Sequence, residues 1–287
     1  MPDPPPSTPG KHRAFSYPIS ISHDWCTFYP RFMPAPRKQD WGLYPTEIDG
    51  TPAWVTAELS FAEQPDPTRP IFIHVRFALP GCNEEGLPQE EGLARIEQIE
   101  DAVLPLMEER FKAAHVGSMS HASQRHLFFY VASDKGLAEA LRPVAAMFPQ
   151  SAPSAMSRPD PSGDMYTQLI LPDDWQSEFI ENHRDCEAVL EEGDDADAPR
   201  SFIHLAIFTS DLGRERFAAK ARELGYRVGV IPDPPTTDTG DEVFPLNFEH
   251  TGPTDPFDLT ERTSVLSDEI MELDGEYIGW EAGPFDT

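Results

Sequence analysis

The apolar positions fall into two kinds of run that follow one another in a regular order. In 71–79, Ile71, Ile73, Val75 and Phe77 alternate with His74 and Arg76, the two-residue period of a strand with one buried face. In 90–112, Leu93, Ile96, Ile99, Val103 and Met107 recur every three or four residues and make one helical stripe, inside which Pro105 predicts a kink or a split. Strands are expected at 115–119 and 127–132, a helix at 135–147, and a closing strand at 166–171 after a polar loop over 150–164. Ahead of these, Asp49-Gly50 marks a turn and 53–61 a strand, with order expected to begin near Trp25. From 71 onward the order is strand, helix, strand, strand, helix, strand.

The same order returns nearer the C-terminus. Strands are expected at 201–208, 226–231 and 243–248, with helices at 211–224 and 259–273. Phe217, Ala221 and Leu224 stripe the first helix, with Ser210 placed to cap it and Gly225 to end it. Leu259, Leu266, Ile270 and Leu273 stripe the second, with Asp258 as its cap, Gly275 as its stop and a polar loop at 232–241 before it. A last strand begins at Tyr277–Trp280, where alternation places Ile278 and Trp280 on the core face. The pattern predicts an α+β chain of two tandem ferredoxin-like (βαββαβ) units with antiparallel sheets, the first with an extra N-terminal strand. The expected boundaries are a proline-rich tail at 1–22, a first unit at 23–175, a helix (175–190) and acidic linker within 176–199, and a second unit at 200–287.

Charge adds what periodicity does not. Fifty acidic residues against 22 basic give a formal net charge of −28, which repels phosphate backbones and attracts basic partners. The acid is uneven: 228–287 holds fifteen acidic residues and one basic residue, Arg262, so half of the net charge falls in about a fifth of the chain. Cys26, Cys82 and Cys186 are far apart and form no paired motif, which points to a reducing compartment; with no signal-peptide, lipid-anchor or spanning pattern, the cytoplasm is the expected setting.

Candidate chemistry is sparse. His115, His121 and His126 fall near one hairpin without a ligand spacing. His204 and His250 lie on strands that this order makes neighbours, where Glu249 or Asp211 would help them bind a metal or sense pH. His183 and Cys186 share a helix face but lack an orienting third group. Glu97, Glu100 and Asp101, like Glu269 and Glu272, read as solvated helix faces. No nucleophile elbow, P-loop, zincin or dinucleotide fingerprint occurs.

Two resemblances follow from short motifs. Arg200 and His204, the helix Phe217-Ala218-Ala219-Lys220-Ala221-Arg222-Glu223-Leu224 running into Gly225-Tyr226, and above all Gly275-Glu276-Tyr277-Ile278-Gly279-Trp280-Glu281 resemble the bacterial type B regulators of ribonuclease E activity (RraB-like proteins). Ile278 stands where that family usually has Asp. Trp41, Tyr44, Gly50, Pro52, Gly86-Leu87-Pro88, Ile99-Glu100-Asp101, Phe129-Tyr130 and Tyr166 resemble the six-nine-five domain of unknown function, a family that occurs fused ahead of the regulator-like domain. The first resemblance implies a non-enzymatic protein that binds a ribonuclease and modulates RNA decay, with no cofactor and no catalytic residues.

The expected partner is a basic protein surface, ribonuclease E or another RNA-decay component, with neither nucleic acid nor membrane bound directly. The expected contact residues are Asp268, Glu269, Glu272, Asp274, Glu276, Glu281 and Tyr277. Among aromatic anchors, Phe285 joins Tyr277 and Trp280. Two other readings stand beside this one: a metal-dependent hydrolase built from histidines and carboxylates, and an RNA-binding module stacking bases on Phe72, Phe128 and Tyr130.

Overall fold

The computed structural model describes residues 39–63, 66–191, 196, 198–230 and 243–283. The tail at 1–22, the expected onset at Trp25, most of the 191–199 linker, the 232–241 loop and Phe285 lie outside the described residues. The chain is α+β, with one six-stranded and one four-stranded antiparallel sheet.

The six-stranded sheet opens with a hairpin, β1 (Trp41–Ile48) and β2 (Thr51–Glu58), closed by Asp49 and Gly50 at φ of 51° and 78°. Two strands therefore precede the repeated order, where alternation alone predicts one. After the short α1 (Ser60–Glu63) come β3 (Ile71–Ala78), α2 (Glu90–Phe111), β4 (Ala114–His121), β5 (Gln124–Val131) and α3 (Leu137–Met147). β6 (Ser154–Pro159) and α4 (Asp164–Leu169) complete the unit, with strand order β1-β2-β4-β5-β3-β6. Ile73, Val75, Phe77, Leu127, Phe129 and Val131 face Ile96, Ile99, Val103 and Met107 of α2 and Leu141 and Val144 of α3. Each such side chain contributes about 1.5–3 kcal/mol on burial.

Glu100, expected on a solvated face, instead anchors α2 to the sheet. It accepts a 2.8 Å hydrogen bond from Nε of the buried Arg125, whose other nitrogens donate to Ser118 and Ser120. α2 also runs unbroken through Pro105, with Val103 and Met107 buried on either side of the proline.

The closing strand lies elsewhere than predicted. Residues 166–171 begin inside α4, and β6 sits within the expected loop. β6 is an edge strand paired with β3 and mostly exposed, so it carries no apolar alternation. Asp160 accepts hydrogen bonds from the backbone of Asp164 and Met165 at 3.0 Å each and starts the helix, while the Tyr166 hydroxyl donates to the Glu58 carbonyl at 3.0 Å.

The connecting helix, α5 (Asp174–Glu191), leads to β7 (Arg200–Phe208), α6 (Asp211–Glu223), β8 (Arg227–Val230), β9 (Phe244–Gly252), α7 (Pro256–Met271) and β10 (Gly275–Ala282). The second sheet has the order β10-β7-β9-β8. Ser210 caps α6 through the amide of Gly213 at 3.1 Å, as the sequence predicts. α7 starts three residues earlier than predicted, with Asp255 rather than Asp258 as its cap and Pro256 in its first turn. On β7, Phe202, His204, Ala206 and Phe208 face the helices, while Ser201, Ile203, Leu205 and Ile207 alternate onto the other face.

α5 packs against elements of both sheets' parts of the chain, α7 and β1–β2. Phe179 lies 4.8 Å from the Phe257 ring of α7 and 6.0 Å from Trp54 of β2. Ile180 packs so closely on Gly42 of β1 that a Cβ there would sit 2.6 Å from its Cδ1.

Candidate functional site: the terminal strand, its histidines and its acids

The terminal run forms β10, but simple alternation does not describe it. Tyr277 pairs with Ala206 and Gly279 with Leu205, so Ile278 is the extra residue of a β-bulge. Gly279 takes φ 142°, a conformation that glycine permits. The bulge resets the faces: Tyr277 and Trp280 both turn inward, and Ile278 is 49% exposed. The expected core placement of Ile278 is thus corrected, while that of Trp280 holds.

Trp280 stacks edge-on against Phe202, with centroids 5.3 Å apart, and donates from Nε1 to Asn182 Oδ1 at 2.7 Å. Asn182, on α5, donates in turn to Thr260 and Thr263 of α7 at 3.0 and 3.2 Å. The sequence reading missed Asn182, whose only signal is a polar residue among the apolar positions of a helix face.

Tyr277 leads into a buried chain of polar groups. Its hydroxyl pairs with His204 Nδ1 at 2.7 Å, and His204 Nε2 pairs with His250 Nδ1 at 2.8 Å. The neighbouring-strand prediction therefore brings the two histidines together, while the carboxylates expected beside them go elsewhere. Glu249 faces the opposite side of the sheet, paired with Arg227 and Ser201, and Asp211 pairs with Arg214. Asp258 and Arg262, joined at 2.8 Å, are the charged groups that act on His250. Among the described residues, the buried His250 Nε2 has no hydrogen-bond partner.

Burial, then the neighbouring His250 and Arg262, lowers the His204 pKa to about 3; burial and Arg262 lower that of His250 to about 4. Both rings are neutral at pH 7. Burial and the charge of Glu178 push the Tyr277 hydroxyl well above its usual range. The chain holds protons in place and presents no poised acid or base. Among the described residues, no group of three or more His, Cys, Asp or Glu side chains is arranged to hold a metal ion. The hydrolase reading therefore lacks its ligand set there.

The acidic candidates separate into layers. Asp268 is exposed on α7, Glu272 at its C-cap, Asp274 at the α7–β10 connection, and Glu276 and Glu281 along β10. Glu269 is half-buried in an ion pair with Lys220 of α6, and Tyr277 is occupied by His204. Glu276 and Glu281 stand opposite Ile207 and Ile203, on the side of the sheet away from α7.

Other candidates resolve as structure. His126 pairs with His74 at 2.7 Å, and His115 packs between Trp41 and Phe129 at 5.2 and 5.0 Å. Burial raises the Cys186 thiol far above its usual range, and His183 packs on Phe179 and faces Glu187 at 3.5 Å. Phe72, Phe128 and Tyr130 are buried. Phe61 stacks on Tyr130 at 4.9 Å, and the Tyr130 hydroxyl donates to Asp160 at 2.5 Å. These rings are thus withdrawn from base stacking.

No helix among the described residues is long and apolar enough to cross a membrane. No curated protein matches the chain. Residues 39–171 match the model of a family of unknown function (DUF695), and residues 179–282 match the model of the family described as regulator of ribonuclease activity B. The second match begins within α5, upstream of the expected boundary at 200, and so includes Asn182. The chain thus carries a segment similar to the DUF695 family followed by one similar to the regulator of ribonuclease activity B family, in the order that its motifs imply.

Proposed function

We propose that the chain is a non-enzymatic, acidic protein-binding regulator of ribonuclease activity. One observation carries the reading: the regulator-like segment, 179–282, contains fourteen of the fifteen acidic residues of 228–287. In this reading 39–171 is a separate α+β module, α5 is the joint, and 200–283 is a ferredoxin-like module. The order β10-β7-β9-β8, with one helix in each crossover, supports that assignment. The order β4-β5-β3-β6 supports the same assignment for the first module, extended by the β1–β2 hairpin.

The partner is a basic, Arg-rich segment of an RNA-decay protein, ribonuclease E by the resemblance of the terminal motif. Asp268, Glu272, Asp274, Glu276 and Glu281, all exposed, steer that segment inward. Tyr277 supports β10 from beneath through His204. No cofactor or metal enters the mechanism, and its setting is the cytoplasm, which suits the free thiols of Cys82 and Cys186.

Purified ribonuclease E titrated against the immobilised chain tests the reading. Saturable binding that weakens steeply as salt is raised is expected. Absence of binding at low salt would remove ribonuclease E as the partner.

A further inference from the structure

The four-stranded sheet has one face under α6 and α7 and another on which, among the described residues, four aliphatic side chains remain in contact with solvent. Ile203, Leu205 and Ile207 run along the central strand β7, partly exposed, and the bulge adds Ile278 beside them at 49% exposure. Leu205 is flanked by Gly279 on β10 and Asn247 on β9, and Asn247 by Gly229 on β8. A Cβ on Gly279 would meet nothing within 4 Å, and one on Gly229 only the Asn247 carbonyl at 3.8 Å. The row through Leu205 is therefore a shallow trough with low walls. Acids border it along β10, Glu276 opposite Ile207 and Glu281 opposite Ile203, while Glu249 on the far side of Ile203 is paired with Arg227.

From this juxtaposition we infer that the outer face of the β10-β7-β9-β8 sheet, centred on Leu205 and Ile278, is the docking surface for a basic protein segment that alternates apolar and cationic side chains. The inference rests on the protein-binding reading above and locates its contact. Charge complementarity selects the occupant. A second copy would set the same acids against each other, and a chain of net charge −28 repels nucleic acid and anionic lipid. A segment with aliphatic residues toward the trough and Lys or Arg toward its borders meets both features at once. The α7 acids then attract the partner without touching it.

Two synthetic peptides of equal length and charge, one alternating Lys with Leu and the other Lys with Ser, test the inference by titration against the full chain. The Lys/Leu peptide is expected to bind about ten-fold tighter, the scale of burying one aliphatic side chain, or two by about half. Leu205→Ser and Ile278→Ser, made singly and together, are expected to remove that preference while leaving Lys/Ser binding unchanged. Asp268→Asn with Glu272→Gln is expected to weaken both peptides alike.

Circular dichroism of the Ile278→Ser chain verifies folding, since a half-exposed bulge residue tolerates serine. Equal affinity for the two peptides, a preference that survives the double substitution, or a wild-type dimer dispersed by Ile278→Ser would overturn the inference. If ribonuclease E fails to bind while peptide preference persists, the regulator reading falls and the docking surface stands. If ribonuclease E binds undiminished to the Leu205→Ser, Ile278→Ser chain, the reverse holds.

Discussion

Asn182 satisfies Trp280, Thr260 and Thr263 at once and so ties the terminal strand to two helices. Replacing it with alanine takes the acceptor from the part-buried Trp280 indole N–H and a donor from each of the buried Thr260 and Thr263 hydroxyls, which keep their bonds to backbone carbonyls. Asn182→Ala is expected to cost about 2–4 kcal/mol, read from chemical denaturation. Asn182→Asp keeps an acceptor for Trp280 but sets a buried charge against the hydroxyls, so it is expected to be no milder. The histidine chain makes a second residue-level prediction, with a sign fixed by linkage. Free histidine titrates near 6.5, and folding lowers His204 to about 3 and His250 to about 4. Below pH 6.5 the unfolded chain therefore takes up protons that the folded chain refuses. The stability from these residues is full above pH 6.5 and is lost progressively as the pH falls through 4 toward 3. The thermal midpoint is expected to drop across that window. His204→Phe combined with Tyr277→Phe, which removes one titrating group and its partner together, is expected to flatten the drop.

At the scale of elements, α5 packs against both β1–β2 and α7. Phe179 is fully buried at the meeting of Trp54, Phe257 and Trp175, and Phe179→Ala is expected to cost about 3–5 kcal/mol. A fragment starting at 174 is expected to melt cooperatively at a higher temperature than one starting at 200, which loses Asn182 and Cys186 from its core. Equal melting temperatures would make α5 a mere connector. The elements with strong periodicity were legible in the sequence: α2, α6, α7, β3 and β7 lie within a few residues of their predicted places. The elements that escaped had physical reasons to. β6 is an exposed edge strand with no buried face to pattern, and α4 is begun by a carboxylate and fixed by one tyrosine rather than by a stripe. β10 was legible as a strand, but its faces were not. A bulge shifts the alternation by one residue, and Gly279 was its only mark. Sheet adjacency brought His204 and His250 together on paper; the turning away of Glu249 depends on which face each residue takes.

Across the whole molecule, the two sheets differ in what covers their faces. The first has aromatic and aliphatic side chains packed on both faces, under α2 and α3 on one side and under Phe61 and Tyr166 on the other. The second has one helix-covered face and one acid-bordered aliphatic face, in the part of the chain where half of the net charge lies. Long-range attraction toward a basic partner follows from that distribution, and so does its sensitivity to salt. Regulation of a ribonuclease by binding is read directly from the rate at which ribonuclease E cleaves a defined RNA as the purified chain is added. The rate is predicted to fall to a plateau at saturating chain and to recover as salt is raised. A rate that stays constant, with the chain in large excess at low salt, would contradict the account.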